Sequence, residues 1–167
     1  MKKDFGVFEL PRFYLKFVRR AYDEFLNSPV DAYCAKIAAS QADVMAERVW
    51  NAYEKVDRNK VGNAQNVRAY RQFLVANECA DFQLVWDVHD GHKHVDLSRP
   101  DRQVTSASQT GIVQRGGAFD ANLFQADAFD VGQSEIVIIL DDGTERAIAE
   151  VLKNVIEMWE RLLKTLN

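Results

Sequence analysis

The chain has few of the residues that mark specialised protein classes. It contains two cysteines and three prolines among 167 residues, and no apolar run approaches the roughly 18 residues that span a bilayer. The amino-terminal segment MKKDFGVFELPRF lacks the apolar core and the small-residue cleavage site of a secretory signal. Cys34 and Cys79 are too few for a disulfide framework. We therefore expect a cytoplasmic protein with no membrane segment.

Motifs of several enzyme classes are also missing. There is no glycine-rich dinucleotide loop and no G-x-S-x-G elbow, and the segment 111–117, GIVQRGG, lacks the lysine and the following helix of a phosphate-binding loop. Residues 1–88 contain no histidine. This absence excludes the HD-type phosphohydrolases, whose site needs a second histidine on an upstream helix. The sequence predicts no cofactor.

What is present is the composition of a globular protein. Hydrophobic residues make up 47% of the chain and charged residues 28%, which predicts one domain over residues 1–167. The net charge of -4 is uneven, because residues 1–80 carry 13 basic and 10 acidic groups while residues 81–167 carry 8 and 15. A nucleic acid could therefore bind only through the helical half, where basic residues are close in sequence: Arg12, Lys16, Arg19 and Arg20.

Hydrophobic periodicity predicts helices over residues 1–100. Pro11 suits the first position of a helix, whose expected core stripe is Phe13, Phe17, Ala21 and Phe25, widened by Tyr14, Val18 and Tyr22. A second helix is expected from a Ser28 cap to about residue 53, with Tyr33 in the core. A third covers about 64–78, and a fourth begins near Asp81, whose carboxylate can cap it. Short connections between amphipathic helices predict a bundle.

The pattern changes after Pro100. Residues 102–115 and 119–131 could form strands, 135–140 is the clearest strand, 141–144 is a hairpin turn, and 145–147 is a short strand. Residues 148–166 form a strongly amphipathic helix. The expected fold class is α+β. It comprises a bundle of four to five helices with a small antiparallel sheet, the β-meander of residues 101–147 (strands from about 102), inserted before the carboxy-terminal helix.

The segment 81–102 holds all three histidines of the chain. If the fourth helix continues through His94, then Asp87, Asp90 and His94 share one face, with Asp90 and His94 one turn apart. A carboxylate one turn from an imidazole favours its charged form and fixes its tautomer, as general acid–base catalysis requires. The candidate catalytic residues are therefore Asp87, Asp90, Lys93 and His94. The alternative is a polar cluster that closes one end of the bundle.

A metal site is a further hypothesis for the same segment. His89 and His92, with Asp87 and Asp90, offer nitrogen and oxygen ligands suited to zinc, manganese or iron. In a helix, however, the side chains of His92 and His94 point about 200° apart. They could share one ion only if the helix ended at Gly91. His89 instead follows the apolar stripe, which also predicts a buried position for it.

The chain resembles uncharacterised bacterial and prophage proteins in the order of its elements. Helices lead into the motif Asp87-x-x-Asp90-x-x-Lys93-His94, and a β-hairpin and a terminal helix with Trp159 follow. These bacterial and prophage proteins are similar to the HEPN superfamily of small helical bundles, and the resemblance covers about residues 10–100. HEPN ribonucleases use an R-x4-6-H motif at a dimer interface to cleave RNA without metal. Only His94 would carry over, with Asp87 or Asp90 in place of the positive partner. The resemblance implies a helical, homodimeric protein.

Three functions follow from these patterns. The leading expectation is a non-enzymatic interaction or accessory protein of bacterial or phage origin. The second is a HEPN-like metal-independent ribonuclease that uses His94. The third is a metal-dependent hydrolase that uses His89, His92 and the nearby aspartates.

Overall fold

The computed structural model describes residues 6–93, 100–115 and 133–166, and this part of the chain has the expected α+β architecture. Helix α1 joins an α-helical segment at Leu10–Phe13, a π-helical segment at Tyr14–Arg19 and an α-helical segment at Arg20–Asn27. The other helices are α2 (Ala32–Tyr53), α3 (Val67–Asn77), α4 (Phe82–Lys93) and α5 (Ile148–Leu166). The strands are β1 (Thr110–Arg115), β2 (Gln133–Ile139) and β3 (Glu145–Ala147). None of the helices in these ranges combines the length and the apolar character of a bilayer-spanning segment.

The buried face of α1 differs from the expected stripe. Tyr14 and Val18 lie in the core, whereas Phe17 is 42% exposed. Ala21 and Phe25 of the expected stripe are buried, and so is Tyr22 beside them. The difference is confined to the first half of α1, where the π-helical segment at Tyr14–Arg19 changes the rotation per residue.

The helix starts also differ from those expected. Helix α2 begins at Ala32 instead of near Ser28, because the Asp31 carboxylate accepts hydrogen bonds from the backbone amides of Tyr33 (2.8 Å) and Cys34 (3.3 Å). An aspartate that satisfies two of the unpaired amides of the first turn is a strong cap. The Tyr33 side chain, expected in the core, is 67% exposed.

The sheet confirms the expected hairpin. Its order is β1-β2-β3, both pairs are antiparallel, and Ile112 lies opposite Ile136 while Val137 lies opposite Ala147. Gly143 in the turn has a φ of +83°. In the segment 102–115 only β1 is extended, since a 3-10 turn at Ala107–Gln109 precedes it. The strand expected within 119–131 lies outside the described residues.

Helix α5 organises the core, as its apolar stripe predicts. The Trp159 side chain is fully buried, donates a hydrogen bond from Nε1 to the carbonyl of Ala42 (3.0 Å), and meets the ring of Phe82 edge-on at 6.0 Å. The small residues of α2 that pack close to its neighbours are all buried: Ala35, Ala38, Ala39, Ala42 and Ala46. The sheet packs against α5 through β2 and β3.

The turn before α3 requires a glycine at position 62. Gly62 has a φ of +61°, and a Cβ atom there would overlap the ring of Phe73. We expect Gly62→Ala to lower the free energy of unfolding by about 2–4 kcal/mol, because backbone strain and overpacking add. Gly143→Ala is the control, since its φ is also positive but its Cβ position is open. Equal losses in urea denaturation of the two variants would contradict the close approach of Phe73.

Candidate functional site

Helix α4 carries the aspartates and histidines that the sequence analysis singled out. It continues past Gly91 to Lys93, so the glycine does not end it. Its apolar side chains Phe82, Val85 and Trp86 are buried, and His89 is only 4% exposed, as its position on this stripe predicts. The helix packs against α2, α3 and α5, and its polar side chains Gln83, Asp87 and His89 are buried.

Asp87 binds the segment that follows Pro100. Its side chain is fully buried, and its carboxylate accepts hydrogen bonds from Nε2 of Gln83 (2.8 Å) and from the backbone amides of Gln103 (2.8 Å) and Val104 (3.3 Å). Buried amides need acceptors, and a carboxylate can satisfy several donors at once. Asp87 therefore attaches residues 103–104 to the helix.

Asp90 attaches the same segment one turn later. Its carboxylate lies 3.1 Å from Nη2 of Arg102, whose side chain is only 7% exposed. Asp87 and Asp90 thus share one side of α4, as predicted, and both contact residues 102–104. The third member of the predicted face, His94, lies outside the described residues. So do the side chains of His92 and Lys93, whose backbone completes the last turn of α4.

A second carboxylate centre was not foreseen from the sequence. Asp43 on α2 is fully buried and binds the guanidinium of Arg71 on α3 through two hydrogen bonds of 2.7 and 2.6 Å. Nε2 of His89 lies 3.5 Å from the same carboxylate, and the Arg71 guanidinium lies 5.5 Å from the centre of the Trp86 ring. This polar centre connects three helices.

A signal for this centre was present in the chain. Asp43 lies on the same face of α2 as Ala39, Ala42 and Ala46, all of which are buried. A lone acid on a buried face requires a cationic or hydrogen-bonding partner. The sequence pattern alone does not say which of the many arginines supplies it.

Asp81 joins α4 to the second half of the chain. Its carboxylate, which we expected to cap α4, is bound by Nη2 of Arg146 (2.9 and 3.0 Å) and by Nδ2 of Asn154 (2.7 Å). Arg146 is in β3 and Asn154 in α5. The aspartates of this region therefore hold the helical and strand-containing parts together.

The side chain of His92, one of the two predicted metal ligands, lies outside the described residues, whereas that of His89 is described. No group of three histidine, cysteine, aspartate or glutamate side chains among the described residues could hold a metal ion. Nε2 of His89, a predicted metal ligand, lies 3.5 Å from the carboxylate of Asp43. Cys34 and Cys79 are free thiols, and burial raises the pKa of both, which favours the unreactive protonated form.

A small cavity lies beside Asp87. Its volume is about 10 Å³, room for about one water molecule, and its lining includes Lys36, Asp87, Val88, Gly91, Val104 and Ser106. Sites for small organic ligands commonly measure about 300–1,000 Å³. The cavity is therefore too small for a substrate of ordinary size.

The exposed face of the amino-terminal helix has a different character. Four exposed side chains here are called the N-terminal ridge: Phe8 in the 3-10 turn at Val7–Glu9 that precedes α1, and Arg12, Leu15 and Lys16 in the first part of α1. Phe8 is 96% exposed and Leu15 is 65% exposed. Single exposed apolar residues are common, but apolar groups clustered with charged ones are typical of binding surfaces.

Two of the four basic residues predicted to contact nucleic acid are neutralised within the chain. Arg19 binds Asp23 (2.9 Å) and Glu160 (2.8 Å), and Arg20 binds Glu24 (2.9 Å). Arg12 and Lys16 have no carboxylate within ion-pair distance among the described residues. The cationic surface of the helix is thus limited to the ridge.

No protein-family model, no curated protein and no solved structure matches this chain. Its function is therefore inferred from two features of the described residues. One is a set of buried carboxylates bonded within the fold, and the other is a ridge that exposes apolar and basic side chains.

Proposed function

We propose that the protein is a non-enzymatic interaction or accessory protein of the bacterial or phage cytoplasm, which binds a protein partner through the N-terminal ridge. The observation that carries this proposal is the exposure of Phe8 and Leu15. Each buried square ångström of apolar surface is worth about 25 cal/mol, so covering these side chains would contribute substantially to binding.

The buried aspartates support a non-enzymatic role. Asp87 was a candidate base, yet its carboxylate is fully buried and accepts three hydrogen bonds from within the fold. A general base must come within hydrogen-bond distance of the proton that it removes. The donors that the Asp87 carboxylate reaches include the side chain of Gln83 and the backbone amides of Gln103 and Val104, and the cavity beside it is small.

The proposed location depends on separate observations. Two free thiols, Cys34 and Cys79, suit a reducing compartment. The bacterial or phage origin depends only on the resemblance of the segment from Asp87 to His94.

The ridge also indicates the chemistry of its partner. Arg12 and Lys16 are exposed and close in sequence to the exposed side chains of Phe8 and Leu15, and binding surfaces commonly combine an apolar centre with a polar rim. Charges at a rim select partners by complementarity. The partner surface should therefore present apolar residues beside carboxylates.

Site-specific photo-crosslinking tests this proposal. With a benzoylphenylalanine in place of Leu15, we expect the full-length chain to form one defined adduct when irradiated in its source cells. The same group in place of Ala76, an exposed position on α3, is the matched control and should give no adduct. Absence of an adduct from position 15 would overturn the proposal.

The ribonuclease and metal-hydrolase hypotheses predict different results from our proposal when the purified chain is tested for RNA cleavage and for the effect of a chelator. Under our proposal the purified chain does not cleave RNA, and a chelator leaves its melting temperature unchanged. RNA cleavage that is lost in His94→Ala would establish the HEPN-like ribonuclease instead. A fall in melting temperature on chelation would indicate a resident metal ion, through the linkage of binding to folding.

A further inference from the structure

We infer that Glu160 of α5 holds the N-terminal ridge in its binding orientation by tying together the two ends of the π-helical segment Tyr14–Arg19. Two residues of the ridge, Leu15 and Lys16, lie within this segment. The inference rests on the proposed function, because it names a residue outside the ridge on which partner binding depends. Glu160 acts through Leu15 and Lys16, so it is a positioning residue.

One carboxylate oxygen of Glu160 accepts hydrogen bonds from both ends of the segment. Its Oε1 atom lies 3.0 Å from the hydroxyl of Tyr14, the first residue, and 2.8 Å from Nη1 of Arg19, the last residue. Burial and the neighbouring Glu160 carboxylate raise the pKa of the Tyr14 hydroxyl, which therefore stays protonated and donates. Nε of Arg19 also binds Asp23 (2.9 Å), which restricts the guanidinium.

The separation of the two donors matches the π-helical register and not the α-helical one. Tyr14 and Arg19 are five residues apart. In a π-helix each amide bonds to the carbonyl five residues earlier, so such a pair lies about one turn apart on one side of the helix. In an α-helix, with 3.6 residues per turn, the same pair would be rotated by about 140°. A single acceptor atom that both side chains reach therefore favours the π register.

The buried side chains of this part of α1 favour the same register. Leu10, Tyr14 and Val18 are 1%, 5% and 0% exposed and follow one another at intervals of four residues. In a continuous α-helix two such intervals would rotate the third side chain by about 80° from the first. The longer π-helical turn reduces this drift. Leu15, between Tyr14 and Val18, is 65% exposed, so the register and not core packing sets the direction of its side chain.

Glu160 therefore controls which register the segment adopts. The α-helix is much the commoner geometry, so a segment without the two bonds to Glu160 can exchange between the registers. Exchange changes the direction of the side chains of Leu15 and Lys16, because the rotation per residue differs between the two geometries. A ligand that binds one conformation loses apparent affinity in proportion to the fraction of molecules that leave it. Loss of Glu160 should therefore weaken partner binding although every ridge residue is retained.

Nuclear magnetic resonance tests the register directly. Couplings across hydrogen bonds, from amide nitrogen to carbonyl carbon, identify the acceptor of each amide. In the wild-type chain we expect amides of the segment to couple to carbonyls five residues earlier. In Glu160→Ala these couplings should weaken, and hydrogen exchange within the segment should accelerate by about tenfold or more. Couplings to carbonyls four residues earlier throughout the wild-type segment would overturn the inference.

Photo-crosslinking from position 15 tests the consequence for binding. In a chain with benzoylphenylalanine at this position, Glu160→Ala should lower the yield of the adduct by roughly fivefold or more. Glu160→Gln should restore the yield, since the amide oxygen can accept the same two hydrogen bonds. Glu157→Ala is the matched control, because it removes a more exposed glutamate of the same helix and should leave the yield unchanged.

Tyr14→Phe decides the question if Glu160→Ala does not fold. It removes only the hydroxyl that donates to Glu160 and should also lower the adduct yield. Tyr22→Phe is its control, because it removes the hydroxyl of another buried tyrosine of α1 and should leave the yield unchanged. Circular dichroism verifies the folding of each variant.

The possible failures are distinguishable. An adduct yield that neither Glu160→Ala nor Tyr14→Phe lowers would overturn this inference and leave the proposed function intact. A loss that Glu160→Gln does not reverse, or that Glu157→Ala shares, would do the same. No adduct from position 15 in a chain changed only at that position would overturn both.

Discussion

Replacing Arg71 with alanine is expected to lower the free energy of unfolding by about 3–5 kcal/mol. The substitution leaves the fully buried Asp43 carboxylate without the guanidinium that binds it at 2.6 and 2.7 Å. A charge taken out of water is costly unless a partner remains. The Arg71→Ala substitution also removes the contact between the Arg71 guanidinium and the Trp86 ring. Urea denaturation followed by tryptophan fluorescence measures the loss.

Arg68→Ala is the matched control on the same helix. Arg68 is 55% exposed and lies 3.8 Å from Asp101, and exposed pairs of this kind contribute about 0–1 kcal/mol. In a double-mutant cycle, Asp43→Ala combined with Arg71→Ala should cost less than the sum of the single losses. Equal stability of the Arg71→Ala and Arg68→Ala variants would show that Asp43 does not depend on Arg71.

The fold was largely predictable because its strongest patterns are local. The apolar stripe of α5 runs from Ile148 to Leu166 and is buried almost throughout. The turn around Gly143 and the alternation in β2 likewise depend on residues close in sequence. Helix starts were predicted less well. At α2, for example, Ser28 and Asp31 are both able to cap the helix, and only the geometry of the turn between them determines which one does.

The polar centre could not be predicted in the same way. Asp43 and Arg71 are 28 residues apart on different helices, so their contact depends on how the helices rotate and slide against each other. Periodicity predicts which face is buried, not which residue meets which across an interface. The position of His89 on a buried stripe was predictable, but its neighbour Asp43 was not.

The same limit applies to Asp87 and Asp90. The spacing of the two aspartates was enough to predict that they lie on one side of α4. Their donors could not be predicted, because residues 102–104 belong to a segment that comes back to α4 after Pro100. This return brings both carboxylates partners within the fold, because Asp87 accepts hydrogen bonds from the amides of Gln103 and Val104 and Asp90 binds Arg102.

Asp87→Ala should therefore act on stability in the first place. We expect a loss of about 3–5 kcal/mol in the free energy of unfolding, because the backbone amides of Gln103 and Val104 and the amide of Gln83 all lose their acceptor. Each unsatisfied buried donor costs about 1–3 kcal/mol. Hydrogen exchange at the amides of Gln103 and Val104 should accelerate more than exchange in the core of α5. This local acceleration would show that residues 103–104 have lost their attachment to α4.

Asp87→Asn distinguishes this structural role from catalysis. The asparagine side chain has the same shape as that of aspartate and keeps one acceptor oxygen. The Asp87→Asn variant should therefore lose less stability than the alanine variant and still bind its partner. A catalytic base would give the reverse order, since the isosteric amide cannot accept a proton and would abolish activity while the fold persisted. Full stability of Asp87→Asn together with loss of a measurable reaction would assign the buried carboxylate to chemistry after all.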